Sequence, residues 1–127
     1  MNTVAETVGV RHLVREFLEA HADDRRSDLD AAEVVVGELV ANAVRHGAPP
    51  FGICVDWQDD PPVFCIVDRG RGMRPIYPAP DLNSEGGRGL LLVRALAHHL
   101  VISSHDQRPG TRVVASLPVH RRTPRAA

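Results

Sequence analysis

The sequence predicts an α/β fold, a two-layer sandwich in which helices cover one face of a mixed or antiparallel β-sheet. The predicted elements follow in the order helix, helix, strand, strand, helix, strand, strand. Turn signals between neighbouring strands favour hairpins, and helices both precede and interrupt the strands. The 127 residues suit one domain. We expect this domain to span residues 1–119, followed by a disordered basic tail over residues 120–127.

Two helices open the chain. Apolar residues recur at helical spacing between about Val8 and Ala22. A second helix begins near Ser27 or Asp28, either of which can cap it, and ends at Gly47 before a pair of prolines.

The remaining elements are strands and one helix, separated by turns and a long irregular segment. The strands cover about residues 51–58, 63–68, 100–104 and 111–117. Residues 69–88 are rich in glycine and proline, and an irregular segment of this length often acts as a functional lid. A third helix follows over about residues 90–98.

Two cysteines, Cys54 and Cys65, lie in the first two strands without the spacing of a metal site. We expect buried, reduced core thiols, with a disulfide between the neighbouring strands as the alternative.

Composition excludes several classes of function. The net charge of −1 gives no support for a nucleic-acid partner, and no apolar run is long enough to span a membrane. The N-terminus lacks a signal-peptide pattern, so we expect a cytoplasmic protein. All 15 basic residues are arginine, and without lysine the chain cannot form a Walker-A phosphate loop.

The second helix carries polar residues at a spacing of one turn. Glu38 and Asn42 share a face, and His46 extends the stripe. A carboxylate on a largely apolar helix suits a general base, and an amide oxygen suits Mg²⁺. The alternative is a solvated polar edge.

A second motif begins where an apolar strand ends. Asp68 can accept a hydrogen bond from an exocyclic amino group, such as that of adenine. Gly70 and Gly72, followed by Met73, would let the backbone approach a flat ligand closely. The alternative is an ordinary turn.

A third motif leads into the third helix. Gly87, Arg88 and Gly89 precede Leu90, and glycine-rich helix starts present backbone N–H groups to phosphate. Arg88 would add a charge-assisted contact. A linker is the alternative. Thr111 opens the last strand, where its hydroxyl could bond a base or a water, although such a residue is routine at a strand start.

Taken together, the motifs occur in an order that resembles a known family. ELVANAVRHG resembles the N box of the GHKL ATPase superfamily, which has the Bergerat ATP-binding fold. DRGRG resembles its first glycine box and GGRGLLLV its second. The resemblance covers about residues 27–117, and it is strongest to the stand-alone serine-kinase and anti-sigma-factor branch.

The resemblance implies a site for ATP and Mg²⁺. Glu38 would activate the attacking hydroxyl or water, Asn42 would hold Mg²⁺, and Asp68 would bond the adenine amino group. The other residues that the motifs assign to the nucleotide are His46, Gly70, Gly72, Met73, Gly87, Gly89, Leu90 and Thr111.

The implied function is a serine/threonine kinase that acts as an anti-sigma factor or phosphorylates an anti-sigma-factor antagonist. Its partners would be a sigma factor, the antagonist or both, with a homodimer left open. The first alternative is a nucleotide-gated module that sequesters a partner without phosphoryl transfer. The second is an interaction protein that binds no nucleotide.

Overall fold

The computed structural model describes residues 4–47, 49–69, 85–97, 99–104 and 110–123, without the side chains of 4–8, 85–90 and 104. The elements are α1 (Val4–Glu19), α2 (Leu29–His46), β1 (Phe51–Asp56), β2 (Val63–Asp68), α3 (Glu85–Leu96), β3 (Leu100–Ser104) and β4 (Thr111–Ser116). Their order and the α/β fold class confirm the prediction, and the arrangement is consistent with the Bergerat-type fold.

The sheet has four strands in the order β1-β2-β4-β3, and each neighbouring pair is antiparallel. Because β4 lies between β2 and β3 and opposes both, β2 and β3 are parallel to each other. Helix α3 therefore belongs to a crossover connection between them. A short connection joins Leu96 to Leu100, so the C-terminal end of α3 lies near the start of β3.

One face of the sheet packs against the helices. Ile53, Ile66, Val113 and Ile102 are register neighbours across the four strands and belong to a single apolar core. Helix α2 lies at the centre of this core, in contact with α1, α3 and β2. No helix among the described residues is long and apolar enough to cross a membrane.

Helix α2 begins as the sequence predicts. The Asp28 side chain caps it by accepting a hydrogen bond of 2.9 Å from the backbone N–H of Ala31. Helix α1 begins and ends earlier than the prediction, and Ala22 lies outside it as a buried residue.

Helix α3 differs most from the prediction, because it begins at Glu85 rather than near Leu90. Gly87, Arg88 and Gly89 therefore lie inside the first turns of the helix, and the prediction of a loop through residue 88 was wrong. Glycine costs roughly 1 kcal/mol relative to alanine in a helix interior, which made the segment look irregular. Val93 is fully buried and anchors the helix in the core, and helix formation is cooperative, so the helix can propagate back through these glycines.

The first residues of the predicted basic tail are held against the domain. Arg121 forms a β-bridge with Ala22, and its backbone N–H donates to Asp60 Oδ1 at 3.0 Å. The indole of Trp57 donates to the same oxygen at 3.0 Å. Burial disfavours the charge of Asp60, but these hydrogen bonds prevail and lower its pKa. Residues 120–123 thus contact the domain, whereas residues 124–127 lie outside the described residues. The expected domain boundary at residue 119 and the expected disorder of the tail stay predictions.

The expectation that both cysteines are buried in the core was wrong. Cys54 is exposed and Cys65 is half-buried. Strand side chains alternate between faces, and Ile53 and Ile66 occupy the core-facing positions. The cysteines beside them in sequence therefore lie on the outer face of the sheet.

Two leucines test this assignment of the core. Leu39 in α2 is fully buried, whereas 68% of Leu13 in α1 is exposed. We expect Leu39→Ala to lower the free energy of unfolding by about 2–5 kcal/mol because it leaves a cavity. Leu13→Ala should change it by less than about 0.5 kcal/mol. Urea denaturation of both variants measures the difference, and equal losses would contradict the described core.

Candidate functional site

Three buried polar residues come from three of the predicted motifs. Asn42 is 7% exposed, Asp68 2% and Thr111 1%, in a core that is otherwise mainly apolar. They belong to α2, to the end of β2 and to the start of β4, respectively. Burial of a polar side chain costs free energy unless its hydrogen bonds are satisfied, so such residues are exceptions in a core. Their positions identify the end of β2 as the candidate site.

Two glycines pack directly against Asp68. A Cβ atom at Gly47 would lie 2.7 Å from Asp68 Cγ and 2.8 Å from its Oδ2. A Cβ atom at Gly110 would lie 2.4 Å from the main-chain oxygen of Asp68. All three distances are far below ordinary van der Waals contact. The surroundings of Asp68 are therefore shaped by residues that lack a side chain.

The two glycines meet different backbone requirements. Gly110 has a φ of +132°, a conformation that other residues rarely adopt, so its backbone and its close contact both require glycine. Gly47 has a φ of −96° and an extended conformation. Only the closeness of Asp68 and of the Ala43 carbonyl excludes a side chain there.

Sequence reasoning missed this role of both glycines. It treated Gly47 as a helix stop and Gly110 as part of a turn. Helix α2 does end there, with the Gly47 N–H donating to the Ala43 carbonyl at 2.7 Å. A weak signal was present, because each glycine adjoins a predicted motif.

The polar residues of α2 form a row that leads away from Asp68. Gly47 fixes the C-terminal end of α2 beside Asp68. Going back along the helix from Gly47, the row contains exposed His46, buried Asn42 and half-buried Glu38. Gly47 is nine positions after Glu38, which corresponds to about 13.5 Å along the helix axis. The row and Asp68 together suit an elongated ligand.

The other predicted site residues are described less fully. Thr111 directly follows Gly110. The residues next to Asp68 and Thr111 in sequence, Val67 and Arg112, are register partners in β2 and β4, so Thr111 lies near the end of β2. Gly70, Gly72 and Met73 lie outside the described residues. For Gly87, Arg88, Gly89 and Leu90 only the backbone, which is helical, is described.

The described residues include no group of three or more His, Cys, Asp or Glu side chains that could hold a metal ion. The amide oxygen of Asn42 is a ligand of the type that a hard cation prefers. Mg²⁺ is commonly bound in this way, with few protein ligands.

Comparison with protein families identifies the domain. Residues 2–117 match the model of the histidine kinase-like ATPase domain. The chain belongs to this family. The match supports the resemblance to the GHKL superfamily and makes the protein an ATP-binding domain. A comparison with curated proteins found no significant match.

The described residues fit ATP. A buried carboxylate offers a hydrogen-bond acceptor, as the amino-bearing edge of adenine requires. The row on α2 leads from this point toward the side chains that would meet the phosphates.

The packing of Gly47 on Asp68 can be tested by adding one methyl group. We expect Gly47→Ala to lower the free energy of unfolding by about 1–3 kcal/mol, because the methyl group must displace the Asp68 carboxylate or the Ala43 backbone. Because Asp68 moves, ATP affinity should fall at least about tenfold, which equals about 1.4 kcal/mol. Calorimetric titration and urea denaturation measure the two effects.

Gly52→Ala is the matched control. A Cβ atom at this exposed position in β1 would meet no atom within 4 Å. We expect its ATP affinity and stability to match the wild type. Unchanged ATP binding by Gly47→Ala would show that the contact with Asp68 does not shape the nucleotide site.

Proposed function

We propose that the protein is an Mg-ATP-dependent serine/threonine kinase that phosphorylates a regulatory protein. The observation that carries the proposal is the polar row on α2, which leads from the buried Asp68 to the half-buried carboxylate of Glu38. A domain that only binds ATP needs no general base next to the terminal phosphate. A kinase needs one that can accept the proton of the attacking hydroxyl.

Asp68 would bind the adenine end of the nucleotide. Its carboxylate accepts hydrogen bonds only, so it would favour the exocyclic amino group of adenine over the carbonyl oxygen of guanine. Gly47 and Gly110 would keep side chains away from the base. Thr111, which follows Gly110 in β4, would support the same end of the pocket.

Asn42 would bind at the phosphates, with its amide oxygen as a ligand of Mg²⁺. The bound nucleotide supplies the γ-phosphoryl group for transfer. The crossover topology supports a contribution from α3, because its C-terminal end lies near the start of β3 and its N-terminal turns extend toward the end of β2. Backbone N–H groups of these turns would bind phosphate, and Arg88 would add a positive charge.

Glu38 would act as the general base. It lies one helical turn beyond Asn42, on the side away from Asp68. With adenine at Asp68 and the phosphates at Asn42, the attacking hydroxyl would come next along the row, and Glu38 would be there to accept its proton. Its carboxylate would take the hydroxyl proton of a serine or threonine as the new bond to phosphorus forms. Glu38 is half-buried, so this residue is partly accessible from solvent, as contact with a protein substrate requires.

The substrate class follows from the resemblance to the serine-kinase and anti-sigma-factor branch. We propose an antagonist of an anti-sigma factor as the phosphorylated partner, and a sigma factor as a protein that the domain sequesters. Both proposed partners are proteins, and the proposal includes no direct contact with a nucleic acid or a membrane.

Titration calorimetry with ATP, with and without Mg²⁺, tests the nucleotide site. We expect Mg²⁺ to strengthen ATP binding by the wild type. In the presence of Mg²⁺, Asn42→Ala should lower the ATP affinity at least about tenfold, which equals about 1.4 kcal/mol. Gln58→Ala removes an amide from an exposed position after β1 and serves as the control. Absence of ATP binding by the folded wild type would overturn the proposal.

Substitution of Glu38 separates a kinase from a nucleotide-gated binding module. We expect Glu38→Gln to keep ATP affinity within about threefold, while phosphoryl transfer to a purified antagonist protein falls by about 10²–10⁴-fold. Transfer from γ-labelled ATP measures the rate, and Glu16→Gln on the exposed side of α1 is the control. ATP-dependent retention of the partner by both wild type and Glu38→Gln, without transfer by either, would favour the binding module.

A further inference from the structure

The outer face of the sheet holds a pair of cysteines that the nucleotide site does not use. Cys54 in β1 and Cys65 in β2 are register partners in an antiparallel pair, and both thiols are free. Residues directly opposite each other in such a pair have Cβ atoms roughly 4.5–5.5 Å apart. The two thiols therefore lie side by side on one face.

The position of the pair favours closure of a disulfide. A disulfide requires Cβ atoms about 3.5–4.5 Å apart, so the strands need to approach by about 1 Å at most. Among the strands that the structure describes, β1 is at the edge of the sheet and pairs with β2 alone. A small movement of β1 therefore disturbs no second strand pairing.

The two thiols differ in accessibility. Cys54 is exposed on the edge strand, whereas Cys65 is half-buried on the inner strand β2. A soluble oxidant would reach Cys54 first, and Cys65 would then be the nearest second thiol. This difference assigns Cys54 as the attacking thiol and Cys65 as the resolving thiol.

We propose that Cys54 and Cys65 are a redox modification site, which small-molecule disulfides convert to a cross-strand disulfide. The Cys54 thiolate attacks one sulfur of the small disulfide, forming a mixed disulfide and releasing one thiolate. The Cys65 thiolate then attacks the Cys54 sulfur and releases the second thiolate. The small disulfide gains two electrons, the cysteine pair loses them, and the two cysteine protons end on the released thiols.

The modification site is separate from the nucleotide site. Cys65 and Asp68 are three residues apart in β2, so their side chains point to opposite faces. Asp68 is buried toward the helices, and the cysteines are on the outer face. We therefore expect the disulfide to change ATP affinity by less than about twofold, which makes the inference independent of the proposed function.

Oxidised glutathione is the probe for the test. The folded protein is incubated with an excess of it, alkylated, and analysed by intact and peptide mass spectrometry. We expect the wild type to lose two hydrogen atoms, to resist alkylation at both cysteines and to give a peptide pair linked through Cys54 and Cys65. Reduction should restore both thiols.

Two variants report the order of the steps. Cys65→Ser should stop at a stable glutathione adduct on Cys54, whereas Cys54→Ser should form its adduct at least about tenfold more slowly. A wild type that keeps a glutathione adduct on Cys54, or that forms disulfides between chains instead, would overturn the proposal. Equal adduct rates in the two variants would overturn the assignment of Cys54 as the attacking thiol.

Discussion

The close contact between the end of α2 and the end of β2 determines the rest of the site. Gly47 lies so near Asp68 that no side chain fits between them, and Gly110 approaches the same residue from β4. The three segments are thereby locked together at a point where a carboxylate is buried. Since α2 is a rigid helix, fixing its end beside Asp68 also fixes where Asn42 and Glu38 lie relative to Asp68. One steric contact therefore sets the distances on which nucleotide binding would depend.

Helix α2 serves the core and the site at once. Val36, Leu39 and Val40 are fully buried and carry the apolar packing, while Asn42 is buried beside them as a polar exception. A substitution on this helix can therefore alter folding and ligand binding together. This is the physical reason for pairing each site variant with a measurement of stability. Asn42 is therefore a polar residue in a core that is mainly apolar, and the proposed nucleotide site would use its amide oxygen.

Much of the fold could be predicted because it depends on local patterns. The cap at Asp28, the end of α2 at Gly47 and the alternation in β2 are all encoded within a few residues. The errors arose where distant packing decides. Helix α3 begins five residues early, because a helix anchored in the core at Val93 can propagate back through the glycines one hydrogen bond at a time. The contacts of Arg121 likewise join residues that are remote in sequence. The contact of Gly47 with Asp68 joins two motifs in space. Sequence reasoning established only their order along the chain.

The prediction about the cysteines failed for a more specific reason. Strict alternation of apolar and polar residues would show which face of a strand meets the helices. Both faces of β2 carry apolar residues, so its sequence pattern alone does not decide this. The contacts decide it: Phe64, Ile66 and Asp68 face inward, which turns Cys65 and Val67 outward. The same alternation separates two kinds of chemistry on one strand. A carboxylate that would bind adenine and a thiol open to oxidation can coexist within four residues because the pleat directs them to opposite sides of the sheet.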